Sequence, residues 1–270
     1  MARADSRLKC QYRAIQGHRH NKWNLFIAAL ALLFSIPAHA QPVWVGEFSN
    51  ANVEPPPPWR VVQIDKRVRP TVYRTREWDG VQAIEAQASA SMALLARPLE
   101  INLKSTPVLC WRWRVEAALQ NADLNQKSGD DYAARVYLAL TLPPELMGLA
   151  TRAKLRLARV LYGEEVPDGA INYVWDNRHP VGTRRPNAYT ALTQMVVQQT
   201  GEEKAGKWVS ERVNVQDEIR RAFGTEHASL TSIAVASDTD NTGETALAGF
   251  ADLHFVGADA SCDFPEILRR

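Results

Sequence analysis

The stretch GDDYAARVYLAL, Gly129 to Leu140, sets apolar side chains at every second position, the period of a half-buried β-strand. Strand side chains alternate between faces, so Tyr132, Ala134, Val136, Leu138 and Leu140 share one face. Asp131, Ala133, Arg135, Tyr137 and Ala139 share the other. The first face reads as core. The second puts a carboxylate, a guanidinium and a phenol on one strand, a composition suited to a half-open cleft. Asp131 and Arg135 stand about 13 Å apart along such a strand, too far to pair. Each therefore needs a ligand or a partner on another strand, as in an ion-pair network at a sheet rim.

The same period recurs along the chain. Strands are predicted at Trp59–Ile64, Thr71–Glu77, Val81–Gln87, Ser91–Ala96, Val108–Val115, Tyr132–Leu140, Ile171–Trp175, Leu192–Gln198, Lys207–Asn214, Leu230–Ala236 and Ala246–Val256. Most are short, rich in branched and aromatic residues, and bounded by Gly, Pro, Asp or Asn. So many strands in one domain imply an all-β, jelly-roll-like β-sandwich. One long helix is expected from Pro144 to about Tyr162. Leu146, Leu149, Ala153, Leu157 and Val160 form an apolar stripe there, and Arg152, Lys154, Arg156 and Arg159 a basic face. That basic face reads as solvated, or as a docking surface for an anionic glycan or membrane. A shorter helix is expected over Val215–Phe223, ending at Gly224.

The N-terminus fixes the compartment to be expected. Residues 1–24 hold Arg3, Arg7, Lys9, Arg13, Arg19 and Lys22 against Asp5, followed by LFIAALALLFSI and Pro37-Ala38-His39-Ala40. A basic region, a short apolar run and an A-x-A ending make a secretory signal peptide over residues 1–40. The apolar run is shorter than the roughly 20 residues that span a bilayer, and no later segment could cross one. The expected product is one periplasmic or secreted domain, 41–270. The whole chain has 32 basic and 30 acidic residues; without the leader the balance is 26 to 29. Nucleic acid, which demands clustered cations, is excluded as a partner. Two cysteines remain, Cys110 and Cys262, an even pair that an oxidising compartment permits to join.

Candidate ligand-binding residues follow from side-chain direction. Asp130, Asp131 and Arg135 come from the opening stretch. In INYVWD, Ile171, Tyr173 and Trp175 share a face, so Tyr173 and Trp175 are either core or stacking platforms for sugar rings. Asn214 precedes the second helix and can bond local backbone. SDTDNTG, from Ser237 to Gly243, adds Asp238, Asp240 and Asn241 between two strands. As a helix-flanked calcium loop it fails, with Thr242 at the fifth position and Gly249 where a bidentate acid belongs. No cofactor is expected, and calcium held in some other geometry is the one ion left open.

Several stretches together resemble a family. W-x-W (Trp111, Trp113), GDDYAARVY, NYVW (Asn172 to Trp175), W-x-x-E-R-x-N-V (Trp208 to Val215), Asp217 spaced to Phe223-Gly224, and DTDNTG follow one another in order. In this the chain is similar to a family of secreted bacterial proteins classed only as a domain of unknown function, over roughly 59–256. The resemblance implies an exported jelly-roll sandwich and supplies no catalytic residue. The chain departs from the pattern at Lys154–Glu165 and at Cys110.

No catalytic motif is present. His179, His227 and His254 stand singly, and there is neither a G-x-S-x-G elbow nor a phosphate-cradling glycine loop. The expectation is a saccharide- or polar-ligand-binding module. The alternatives are a carboxylate-dependent glycan-cleaving enzyme of glycoside hydrolase or lyase type, and a structural protein whose polar motifs only tie strands together.

Overall fold

The structure, a computed structural model, describes residues 40–48, 53–162 and 166–267, with the side chains of residues 161 and 162 left aside. All of the expected leader except Ala40 lies outside the described residues. Among the described residues thirteen strands form two sheets: β1 (Val43–Gly46), β2 (Arg60–Val62), β3 (Val72–Trp78), β4 (Val81–Ser89), β5 (Leu94–Pro98), β6 (Val108–Val115), β7 (Tyr132–Thr141), β8 (Gly169–Asp176), β9 (Arg184–Pro186), β10 (Thr193–Thr200), β11 (Val209–Asn214), β12 (Ser229–Asp238) and β13 (Thr245–Val256). The first sheet runs β11-β6-β13-β4-β3, with β1 also on β13; the second runs β2-β5-β12-β7-β8-β10-β9. Pairing is antiparallel except for β8 with β10. This is a β-sandwich with two α-helices among the described residues, α1 (Leu149–Tyr162) and α2 (Val215–Phe223).

Local chemistry sets several of these elements. Asp79 and Gly80 join β3 to β4 with φ of 50° and 76°, the left-handed pair that a two-residue hairpin requires. Asn214 caps α2 by accepting a hydrogen bond from the Asp217 amide at 3.1 Å, and Gly224 ends that helix at φ 67°. The Asn214 carboxamide is thus engaged at the start of α2 and takes no part in the polar cluster described below.

The two sheets meet through aromatic rings. Trp111 and Trp113 project from β6; Trp111 packs 5.4 Å from Tyr173, and Trp113 lies 5.8 Å from Trp175, both on β8. Each such ring withdraws about 150–250 Å² from water, so the alternation W-x-W on one sheet and Y-x-W on the other builds the centre of the core. The Trp113 indole donates to Glu211 on β11 at 3.1 Å and that of Trp175 to the Gly201 carbonyl at 3.1 Å. Tyr173 and Trp175 are fully buried core residues, which corrects the sugar-platform reading of these two rings.

Two connections depart from a plain sandwich. Cys110 on β6 and Cys262 in the C-terminal tail form a disulfide across 152 residues, with Cα atoms 5.8 Å apart. It holds the tail against the first sheet, where Phe264 lies over the Arg112 guanidinium at 5.6 Å. The second is the excursion between β7 and β8, antiparallel neighbours separated in sequence by α1. Arg159 fixes this helix to the body through Asp168 at 2.8 Å and the Val166 carbonyl at 3.0 Å. Among the described residues no helix is long and apolar enough to cross a membrane.

Candidate functional site

The polar cluster begins with an irregularity in β7. Arg135 pairs with Ala236 and Tyr132 with Asp238, so Ala133 and Ala134 together face the single residue Ser237. Such a bulge rotates the strand by one side chain. Both alanines point into the core, and Tyr132 turns to the opposite face, packing with Leu124, Val174, Met195 and Val197. Simple alternation therefore misplaces Tyr132. It lies on the same side as Arg135, whose guanidinium sits 4.7 Å above its ring.

Four acids gather at this end of β7. Asp238, at the end of β12, accepts from the Tyr132 amide at 3.1 Å and pairs with Arg135. Arg135 also donates to the Asp130 carbonyl at 3.1 Å. Asp131, fully buried, accepts from the Asn241 amide, the Asn241 carboxamide and the Thr242 amide at 3.3, 3.1 and 2.7 Å. One carboxylate oxygen from each of Asp131, Asp238 and Asp240 lies within 4.8 Å of the other two. Arg135 is the resident positive charge among them.

Three residues that sequence reasoning missed complete the rim. Asn187 donates to both carboxylate oxygens of Asp130 at 2.9 Å. The Tyr189 hydroxyl lies 3.0 Å from the Asn241 side-chain oxygen and 3.2 Å from the Lys127 carbonyl, with one proton to give. Lys127 places its ammonium 5.2 Å over the Tyr189 ring. The Pro186-Asn187 dipeptide marks a turn, but nothing local ties that turn to β7.

Burial controls the proton affinities. It pushes Asp238 well above the usual carboxylate range, reinforced by Asp131 and Asp130 against the pull of Arg135. Asp240 is raised by burial and then by Asp131. For Arg135 burial works downward, but Asp238 and Asp130 outweigh it and hold the guanidinium charged.

The Asp240 shift gives a pH signature. Its folded value exceeds the ordinary 3.8, so above pH 3.8 the folded chain holds more proton at this site than the unfolded chain. Stability from Asp240 is then full below that value and falls as pH rises through the raised one. Melting temperatures of the protein and of Asp240→Asn should diverge in the variant's favour on going from pH 4 to neutrality. A gap independent of pH would show that Asp240 titrates normally.

Residues 57–254 match the family described as Protein of unknown function (DUF3047). The chain belongs to this DUF3047 family. The ordered motifs of the chain divide by role: W-x-W and NYVW fill the core, W-x-x-E-R-x-N supplies Glu211 and the α2 cap, and GDDYAARVY with DTDNTG builds the acidic rim. No curated protein matches the chain. Among solved structures, one from a comparison of family 12 glycoside hydrolases and their thermal stability is similar at 13% identity and a TM-score of 0.38, covering 81% of this chain and 100% of that one. The Trichoderma harzianum endoglucanase 3 from family GH12 is similar at 7% identity and a TM-score of 0.36, covering 76% and 99%. Likeness at this level carries no weight for activity.

Proposed function

We propose that the rim formed by Tyr189, Asp240, Asn241 and Asp130 binds a hydroxyl-rich ligand, a saccharide, in an exported protein. The observation that carries this reading is Tyr189, a residue 56% exposed whose hydroxyl lies 3.0 Å from Asn241, in the field of the Asp130 and Asp240 carboxylates. An aromatic face receives the C–H face of a sugar ring, and the neighbouring carboxylates and carboxamide receive its hydroxyls. Asp131 and Asp238 are the support, held by the Asn241, Thr242 and Tyr132 amides, with Arg135 paired to Asp238 and to the Asp130 carbonyl. Export is supported by the basic segment, apolar run and A-x-A ending of residues 1–40.

The test is a glycan screen on the protein recovered from the periplasm of an expressing bacterium, followed by calorimetry on any hit. Tyr189→Ala is expected to weaken binding about tenfold, the scale of one lost ring contact, with an unchanged melting temperature. A chelator should leave affinity unaltered, since Arg135 already supplies the positive charge that calcium would bring. An empty screen would leave the polar motifs as strand ties alone and sink the proposal.

A second reading, glycan cleavage by carboxylates, has one observation in its favour. Burial raises the proton affinity of Asp240, and one of its carboxylate oxygens lies within 4.8 Å of one of Asp131, which accepts three N–H hydrogen bonds. Against it, Asp131 is fully buried and both of its oxygens accept from Asn241 or Thr242. Release of reducing ends from a bound glycan, lost in Asp240→Asn while binding persists, would establish this second reading.

A further inference from the structure

The apolar stripe of α1 faces solvent. Leu149 is 78% exposed, Leu157 59%, Val160 75% and Leu146, just ahead of the helix, 47%. At 100° per residue Leu149, Ala153, Leu157 and Val160 lie along one side of the helix. The side turned to the body carries Leu155, which is buried, and Arg159, tied to Asp168. The helix expected from Pro144 begins at Leu149, after a 3-10 turn over Pro144–Leu146; from Leu149 onward the spacing predicts the stripe, and tertiary packing aims it outward. Scattered exposed aliphatics are ordinary, whereas three in one line on a helix tied to the body through Arg159, with Leu146 just ahead of them, mark an interaction surface.

Charge selects the occupant. No acidic residue occurs from Leu149 to Tyr162. Arg152, Lys154 and Arg156 border the stripe, are exposed, and make no ion pair among the described residues. An exposed aliphatic stripe edged by exposed cations is the composition of a helix lying in a bilayer interface, with aliphatics among the acyl chains and cations at anionic headgroups. A second copy of the chain is the poorer match, because a symmetric contact through α1 would bring two sets of these cations together with no acid on either helix.

We propose that α1 docks the protein on the surface of an anionic lipid bilayer. The placement of α1 has a consequence for the rim. β7 begins at Tyr132 beside the acidic cluster and ends at Thr141, from which the chain runs into α1. Ten strand residues separate the two ends by about 30 Å. A bilayer bound at α1 therefore leaves Tyr189 and Asp240 open to solvent at the far end of the sheet. This inference is independent of whether the rim binds a saccharide.

Flotation with vesicles tests it, using the protein recovered from the periplasm. Phosphatidylcholine vesicles are compared with vesicles in which about a third of the lipid is phosphatidylglycerol. The protein should float with the anionic vesicles, less so as salt is raised, and stay behind with the zwitterionic ones. Each cation is worth about fivefold near such a surface, so the triple variant Arg152→Gln, Lys154→Gln, Arg156→Gln should lose at least tenfold in partitioning. Leu149→Gln, Leu157→Gln, Val160→Gln should lose as much and keep its melting temperature, since these side chains are exposed. Flotation equal on both vesicle types, or none on either, overturns the proposal. So does a dimer by light scattering that the aliphatic variant dissociates, which would make the stripe a contact between copies.

Discussion

Replacement of Arg135 by methionine should cost about 3–5 kcal/mol of stability, read from urea unfolding at neutral pH. Arg135 is 6% exposed and Asp238 2%, so neither charge has water to fall back on. Without the guanidinium, Asp238 stands buried beside Asp131 and Asp240, all within 4.8 Å, with no positive charge among them. Methionine fills much of the same volume, which isolates the charge from a cavity effect. The double variant Arg135→Met, Asp238→Asn should recover a large part of the loss, because the buried carboxyl left without its partner goes with the second substitution. A single variant within about 0.5 kcal/mol of the protein would mean that the cluster is solvated enough to do without its cation.

Removal of the Cys110–Cys262 disulfide is the second large effect. The bond closes a loop with a sequence separation of 152, and loss of such a constraint on the unfolded chain costs about 2–5 kcal/mol. The tail has few other anchors, among them the Arg212 bond to the Ala258 carbonyl at 2.5 Å and the stacking of Phe264 on Arg112. Melting of Cys110→Ser, Cys262→Ser should therefore fall well below that of the oxidised protein and match that of the reduced protein. A reductant that left the melting curve in place would show the tail to be held by packing alone.

Strands are the most legible part of this chain, because alternation is a local property. Val108–Val115 and Val215–Phe223 are observed with the bounds that the sequence predicts. The cap residues Asn214 and Gly224 act on backbone within a few positions of themselves, and hairpin residues such as Asp79-Gly80 act likewise. The bulge at Ala133 and Ala134 was illegible for the opposite reason. Two methyl side chains fit either face, and only the pairing of β7 with β12 shows that both turn inward. Tyr132 was misplaced as a result.

The candidate site divides in the same way. Asp131, Arg135, Asp238, Asp240 and Asn241 stand out in sequence as polar residues at strand ends, and the fold brings them together. Tyr173 and Trp175 carried the same aromatic signal as Tyr189, yet they lie between the sheets and Tyr189 lies on the rim. Residue type is common to the two situations; burial is not, and burial depends on which sheet face meets the other.

By itself, the sequence determined the strand and turn pattern, the α2 caps, the apolar stripe of α1 and the set of acids, since each depends on periodicity or on bonds spanning a few residues. Only the tertiary structure decided that Arg135 pairs with Asp238, 103 positions away, that Tyr189 completes the rim, and that the stripe of α1 faces outward. Those outcomes depend on contacts between distant segments, where the choice lies between burying one side chain and burying another, and no local pattern records it.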